Sequence, residues 1–157
     1  MTDLFDNNDA IFSDDRKYRY RLTRIWDLSL PLIAFIGLNP STANEESDDP
    51  TIRRLKGFVR KWDYGGFFMY NLFALVTPYP QDLLKSDDPI GRNDEYLKLL
   101  QGKCPVVFAW GSFKEAEKRA PKVIKLFPMA YCLGKNANGS PKHPLYLPSE
   151  TELIFYS

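Results

Sequence analysis

LIAFIGL, residues 32 to 38, is an unbroken apolar run, and NPSTANEESDDPT (39 to 51) follows it at once. A run this short, apolar at every position, reads as a strand buried on both faces, as in a parallel sheet. The polar stretch after it is a loop rich in Asn, Ser, Asp and Pro. Within that loop Asp49-Pro50 pairs a helix-capping side chain with a proline suited to the first helical position. A helix is expected over about 51 to 62, with Leu55, Phe58, Val59 and Trp62 on one face. One buried strand, one loop and one capped helix make the first half of a βαβ unit.

The pattern repeats outward. Tyr64-Gly65-Gly66 breaks the helix, and FFMYNLFAL (67 to 75), PVVFAW (105 to 110) and MAYCL (129 to 133) are three further apolar runs. Between them lie a Pro-rich segment (76 to 93), a short helix over 94 to 100 capped by Asn93, and a helix over 114 to 127 interrupted near Pro121. TELIFY (151 to 156) closes the chain as a strand or short helix. Upstream, YRYRLTRIW (18 to 26) alternates large apolar residues with basic residues or Thr, which suits an antiparallel edge strand with one wet face. Residues 1 to 15 read as a loose polar leader. The expected architecture is a single α/β domain over 1 to 157. It is a three-layer sandwich with a mostly parallel central sheet of four to five strands and helices on both faces.

Composition narrows the function. The chain has 157 residues, 21 Lys+Arg against 20 Asp+Glu, and 44% hydrophobic residues. That near-neutral balance excludes binding nucleic acid by bulk charge, though it allows a local basic face. The two cysteines, Cys104 and Cys132, form no CxxC pair or Cys/His cluster, so neither a structural zinc nor any other metal or cofactor is expected. The acidic start is unlike a signal peptide, and the longest apolar stretch is too short for a bilayer. A cytoplasmic monomer without membrane contact is the expectation.

Ligands of open α/β sheets bind outside the carboxyl ends of the strands. Those ends carry Asn39, Asn71, Trp110-Gly111 and the loop holding His143, the chain's one histidine. A carboxamide donates and accepts together and can read the edge of a nucleobase, while an imidazole can bind an anion or move a proton. Each has a plainer reading. The asparagines can cap turns, His143 can brace a loop, Trp110 can be core, and Asp48 and Asp49 can be helix caps, or one of them a catalytic acid. The basic set Arg16, Lys17, Arg19, Arg21 and Arg24 reads as a solvated edge defended against aggregation, with a phosphate-contacting strip as the alternative. Arg53 and Arg54, near the start of the first helix, are the better phosphate candidates.

GLNPS (37 to 41), FFMYNLFALV (67 to 76), VVFAWGSF (106 to 113) and HPLYLP (143 to 148) occur in an order and spacing that resembles the uracil-DNA glycosylase superfamily. The larger set LNPSTA, DDPT, DPIG-x-N, a WG strand end and HPLYL resembles an uncharacterised bacterial and phage family over roughly residues 18 to 150. The glycosylase resemblance implies that Asn39 positions an attacking water and Asn71 reads the base. It further implies that His143 stabilises negative charge on the departing base and Leu147 plugs the vacated stack. Phe73 or Tyr70 would form an aromatic floor, and Trp110-Gly111 a site wall. The chain departs from the strongest water-activating pattern in having Asn39 with no acid beside it. The expected function is an N-glycosylase-like hydrolase acting on a modified base in DNA or a nucleotide. A non-catalytic nucleic-acid or nucleotide binder that keeps the same pocket is the second reading.

Overall fold

The computed structural model describes residues 7–157. Four apolar strands meet in a parallel core: β3 (Leu32–Gly37), β4 (Gly66–Asn71), β5 (Val106–Phe108) and β6 (Tyr131–Cys132). Three more strands flank them antiparallel: β1 (Asn7–Phe12) and β2 (Arg19–Ile25) beside β4, and β7 (Ile154–Phe155) beside β6. The order is β1-β2-β4-β3-β5-β6-β7, a mixed sheet of seven strands where four to five were expected. The difference lies at the margins. Residues 7 to 12, read as part of a loose leader, pair with β2 along its length. Thus β2 is not an edge but is held between β1 and β4. Residues 1 to 6 of the expected leader lie outside the described residues.

Alternation along β3 sorts the core into two layers. Ile33 and Phe35 pack with Ile52, Leu55 and Val59 of helix α1 (Pro50–Lys61). Ala34 and Ile36 face the other way, toward α2 (Asp82–Lys85), α3 (Asn93–Leu100) and α4 (Ala120–Ile124), which contribute Leu83, Leu97, Leu100 and Val123. Helices therefore cover both faces of the sheet. The stretch from 114 is shorter than expected: a 3₁₀ turn over Lys114–Ala116 precedes α4, and Pro121 sits in the first turn of α4, where its missing N–H is harmless.

The start of α1 is built as its sequence suggests. Asp49 has extended backbone, its Oδ1 accepts from the Ile52 N–H at 2.9 Å, and Pro50 opens the helix. The loop leading to it is tied down by Arg24. This buried guanidinium donates to Asp48 Oδ1 (2.8 Å), to the carbonyls of Asn44 (2.5 Å) and Ser47 (3.1 Å), and to its neighbour Thr23 (2.9 Å). Lys56 also donates to Asp48. Burial pushes the Asp48 carboxyl up, and the hydrogen bonds from Lys56 and Arg24 outweigh it, holding it below its usual range. Arg19 and Arg24 are thus interior residues rather than parts of a solvated basic strip.

Candidate functional site

β3 and β4 end side by side, with Gly37 opposite Asn71. A Cβ on Gly37 would lie 2.9 Å from Asn71 Oδ1 and 2.6 Å from Met69 Cε, so the absent side chain is what gives the Asn71 carboxamide its place. The strand end is braced from the far face. Asn93 Nδ2 donates to the carbonyls of Asn71 (2.7 Å) and Leu72 (3.2 Å), and Arg119 Nε donates to Leu72 (2.9 Å) while pairing with Asp94. Asn93, expected as a helix cap, is instead a buried strut at the first position of α3.

Outside these two strand ends lies a cavity of about 150 Å³. Asn39, Asn71 and His143, from three separate parts of the chain, all line it. Arg19, read as part of a solvated edge or a phosphate strip, Asp49, read as a helix cap or an acid, and Phe113, given no role by the sequence, also line it. Asn71 is 2% exposed, and neither its Oδ1 nor its Nδ2 has a partner among the described residues. An amide buried without partners is unfavourable by about 1–3 kcal/mol, so such a group points to a ligand edge that completes it.

Asn39 is used differently. Its Nδ2 donates to the carbonyls of Pro40 (2.9 Å), Leu75 (3.3 Å) and Thr77 (2.8 Å). Three carbonyl partners fix which end of the amide is nitrogen, and only Oδ1 remains to accept a hydrogen bond. Asn39 therefore ties the loop after β3 to the loop after β4, and its chemical offer to the cavity is a single acceptor.

His143 is half-buried. Its Nδ1 accepts from the Leu145 N–H at 3.2 Å, which leaves the proton of the neutral ring on Nε2 as a donor. Burial pushes its pKa below 6.5, opposed by the nearby charge of Asp49. Phe113 meets the ring edge-on, centroids 6.5 Å apart. Gly111, with φ of 80°, sits beneath: a Cβ there would come within 3.1 Å of His143 Cβ and 3.0 Å of Phe113. Gly111 is thus a close-approach position for the His143 loop, and it does not line this cavity.

A pH dependence follows. The native state holds His143 neutral below its ordinary pKa, so the unfolded chain binds the extra proton. His143 therefore lowers stability as pH falls through 6.5, and its effect levels off below the depressed native value. The expected result is that His143→Asn loses less stability than wild type on acidification through that window, measured by urea unfolding. Parallel acid profiles for the two proteins would contradict it.

Asp49 Oδ1 is engaged by the helix cap, and no described group donates to its Oδ2. Asp49 thus brings a carboxylate to the cavity lining from the start of α1.

The remaining expected site residues lie elsewhere. Trp110 is 1% exposed in the core against Phe108, with ring centroids 4.7 Å apart. Phe73 and Tyr70 are buried in the core on the α3 side and do not line the cavity, so its aromatic wall is Phe113. Leu147 is half-buried against the α1-side core, and its carbonyl accepts from Arg54, which also lies over the Phe58 ring. The exposed side chain of that turn is Tyr146, 99% accessible at φ 71°. Arg53 is exposed and donates to the Asp48 carbonyl at 3.1 Å. Neither Arg53 nor Arg54 reaches the cavity.

Among the described residues no three His, Cys, Asp or Glu side chains gather to hold a metal ion. No described helix is long and apolar enough to cross a membrane.

The fold and cavity define an α/β protein with a small pocket at the carboxyl ends of its parallel strands. Residues 19–145 match the model of the family described as "Protein of unknown function (DUF1643)", and the chain belongs to that family. No curated protein and no solved structure matches it.

Proposed function

We propose that the cavity is a nucleobase site and that the protein is an N-glycosylase-like hydrolase acting on a base in DNA or in a nucleotide. The observation that carries this reading is the Asn71 carboxamide, buried, unpartnered at both ends and lining the cavity. A donor–acceptor pair on one planar group complements the donor–acceptor edge of a base. The volume supports a single ring: a cavity of about 150 Å³ accommodates a benzene-sized ligand.

The chemistry available fits bond cleavage between base and sugar. Water held by Asn39 Oδ1 would attack the anomeric carbon and give a proton to Asp49 as the new C–O bond forms. The C–N bond breaks with its electron pair leaving on the base. His143 Nε2–H would donate to the base oxygen on which that charge collects. The resemblance to the uracil-DNA glycosylase superfamily in GLNPS, the Asn71 strand end and HPLYLP supports the same assignment. In a DNA substrate the nucleotide must first leave the stack, which is unfavourable by a few kcal/mol.

The test is release of free base from oligonucleotides carrying uracil, hypoxanthine or hypermodified pyrimidines. Wild type is expected to release free base from at least one of them. His143→Ala should slow release by about 10²–10³. Asp49→Asn, which preserves the helix cap, should slow it by about 10²–10⁴. Release at the wild-type rate by both variants would overturn the assignment. Salt-dependent DNA affinity without turnover on any base would instead favour a binding protein with the same pocket.

A further inference from the structure

Arg19 enters the cavity through an irregularity of β2. Along that strand Leu22 belongs to the α1-side core and Arg24 reaches Asp48 on the same side. Arg21 lies over Phe68, 5.4 Å from its centroid, and Tyr20 stacks on Tyr96 of α3 at 4.6 Å, both on the opposite side. Strict alternation from Leu22 would put Tyr20 on the α1 side and Arg19 with Arg21. The register against β1 shifts here: Ile11 pairs with Arg21 and Phe12 with Arg19, leaving Tyr20 as the extra residue. This bulge returns Arg19 to the α1 side, and re-aiming a side chain is what bulges beside functional sites commonly do.

The guanidinium that arrives is 2% exposed. Its Nη1 donates to the Ala43 carbonyl at 3.0 Å, and its Nε is buried with no partner. Burial lowers its pKa to about 10, with Asp49 opposing, so it carries its charge at neutral pH. The cavity thus holds one fixed cation that the water-positioning and base-reading groups do not use. A buried cation with spare donors favours a ligand that brings negative charge.

Resting on the nucleobase reading, we propose that Arg19 is a specificity-determining residue that makes the cavity select single-ring heterocycles bearing negative charge, whether an ionised ring or the base anion formed as the bond to the sugar breaks. Phe113 and Asn71 place the ring, and Arg19 supplies the charge that tells an anion from its neutral counterpart.

Calorimetric titration with uracil, neutral at pH 7, and barbiturate, a ring of similar shape that is anionic there, tests this. Wild type is expected to bind barbiturate about tenfold more tightly, the scale of one charged hydrogen bond. Arg19→Gln should remove that preference, and Arg19→Lys should keep part of it. Asp49→Asn, which deletes the opposing charge while keeping the cap, should widen it. Should Arg19→Gln fail to fold by circular dichroism, the wild-type preference and its response to Asp49→Asn still decide. Equal affinities in wild type, or an undiminished preference in folded Arg19→Gln, would overturn the role of Arg19 and leave the nucleobase site standing. Binding of neither ligand by wild type would overturn both.

Discussion

Asn71→Leu is expected to unfold at higher urea than wild type while losing its affinity for a nucleobase. The reasoning joins two facts about one side chain. The carboxamide is buried without partners, so the folded state forgoes the hydration that the unfolded chain regains. Replacing it by an apolar group of similar shape removes that penalty and should add about 1–3 kcal/mol of stability. The same change deletes the donor and acceptor offered to a base edge. Two hydrogen bonds at about 1.4 kcal/mol each correspond to about a 100-fold loss of affinity. A stability gain paired with a loss of binding separates a ligand-reading amide from a structural one. Asn71→Leu that is destabilised and still binds would show the amide to be part of the fold.

Arg24→Met should have the largest effect on stability. It strips donors from the Asn44, Ser47 and Thr23 carbonyls and leaves Asp48 to Lys56 alone. Breaking a buried ion pair by removing one partner is destabilising by about 3–5 kcal/mol. Because Lys56 still compensates Asp48, the lower end applies, about 3 kcal/mol. In a domain of this size that corresponds to a fall in Tm of about 10 °C. Since the loop it anchors leads directly into Asp49, base binding should weaken as well. Thermal melting and urea unfolding check the first part, and a loss under about 1 kcal/mol would contradict it.

The parts of this fold legible in the sequence were those whose signal is local. Four apolar runs marked the parallel strands, and Asp49-Pro50 marked the start of α1, because burial on both faces and helix capping each leave a short imprint. Strand β1 was not legible, since NNDAIF carries little apolar pattern and is held by its pairing with β2. Arg19 and Arg24 read as solvated because their partners are backbone carbonyls some twenty residues on, which no spacing rule reveals. The bulge at Tyr20 was hidden for the same reason: it exists only in the register between two strands.

At the site, the asparagines and histidine at strand ends were found by topology, and they do line one cavity. The aromatic floor expected from Phe73 or Tyr70 and the wall expected from Trp110 do not line the cavity, where Phe113 stands instead. Residues alternate across a strand, and the sequence does not say which face looks toward α1. The sequence offers Asp49 as a helix cap or, alternatively, as an acid. Its two oxygens allow both roles, with Oδ1 on the helix and Oδ2 left for the cavity. Only the motif resemblance points to Leu147, and the turn exposes its neighbour Tyr146 instead.

The central claim is that the Asn71 carboxamide reads a base. Its side-chain ¹⁵N–¹H₂ resonances, assigned by their absence from Asn71→Leu, report on it directly. Titration with a free pyrimidine is expected to shift both amide protons in a saturable way, together with the His143 ring and the Arg19 Nε–H. Saturable binding that leaves the Asn71 amide unmoved, or no binding at all, would contradict the account.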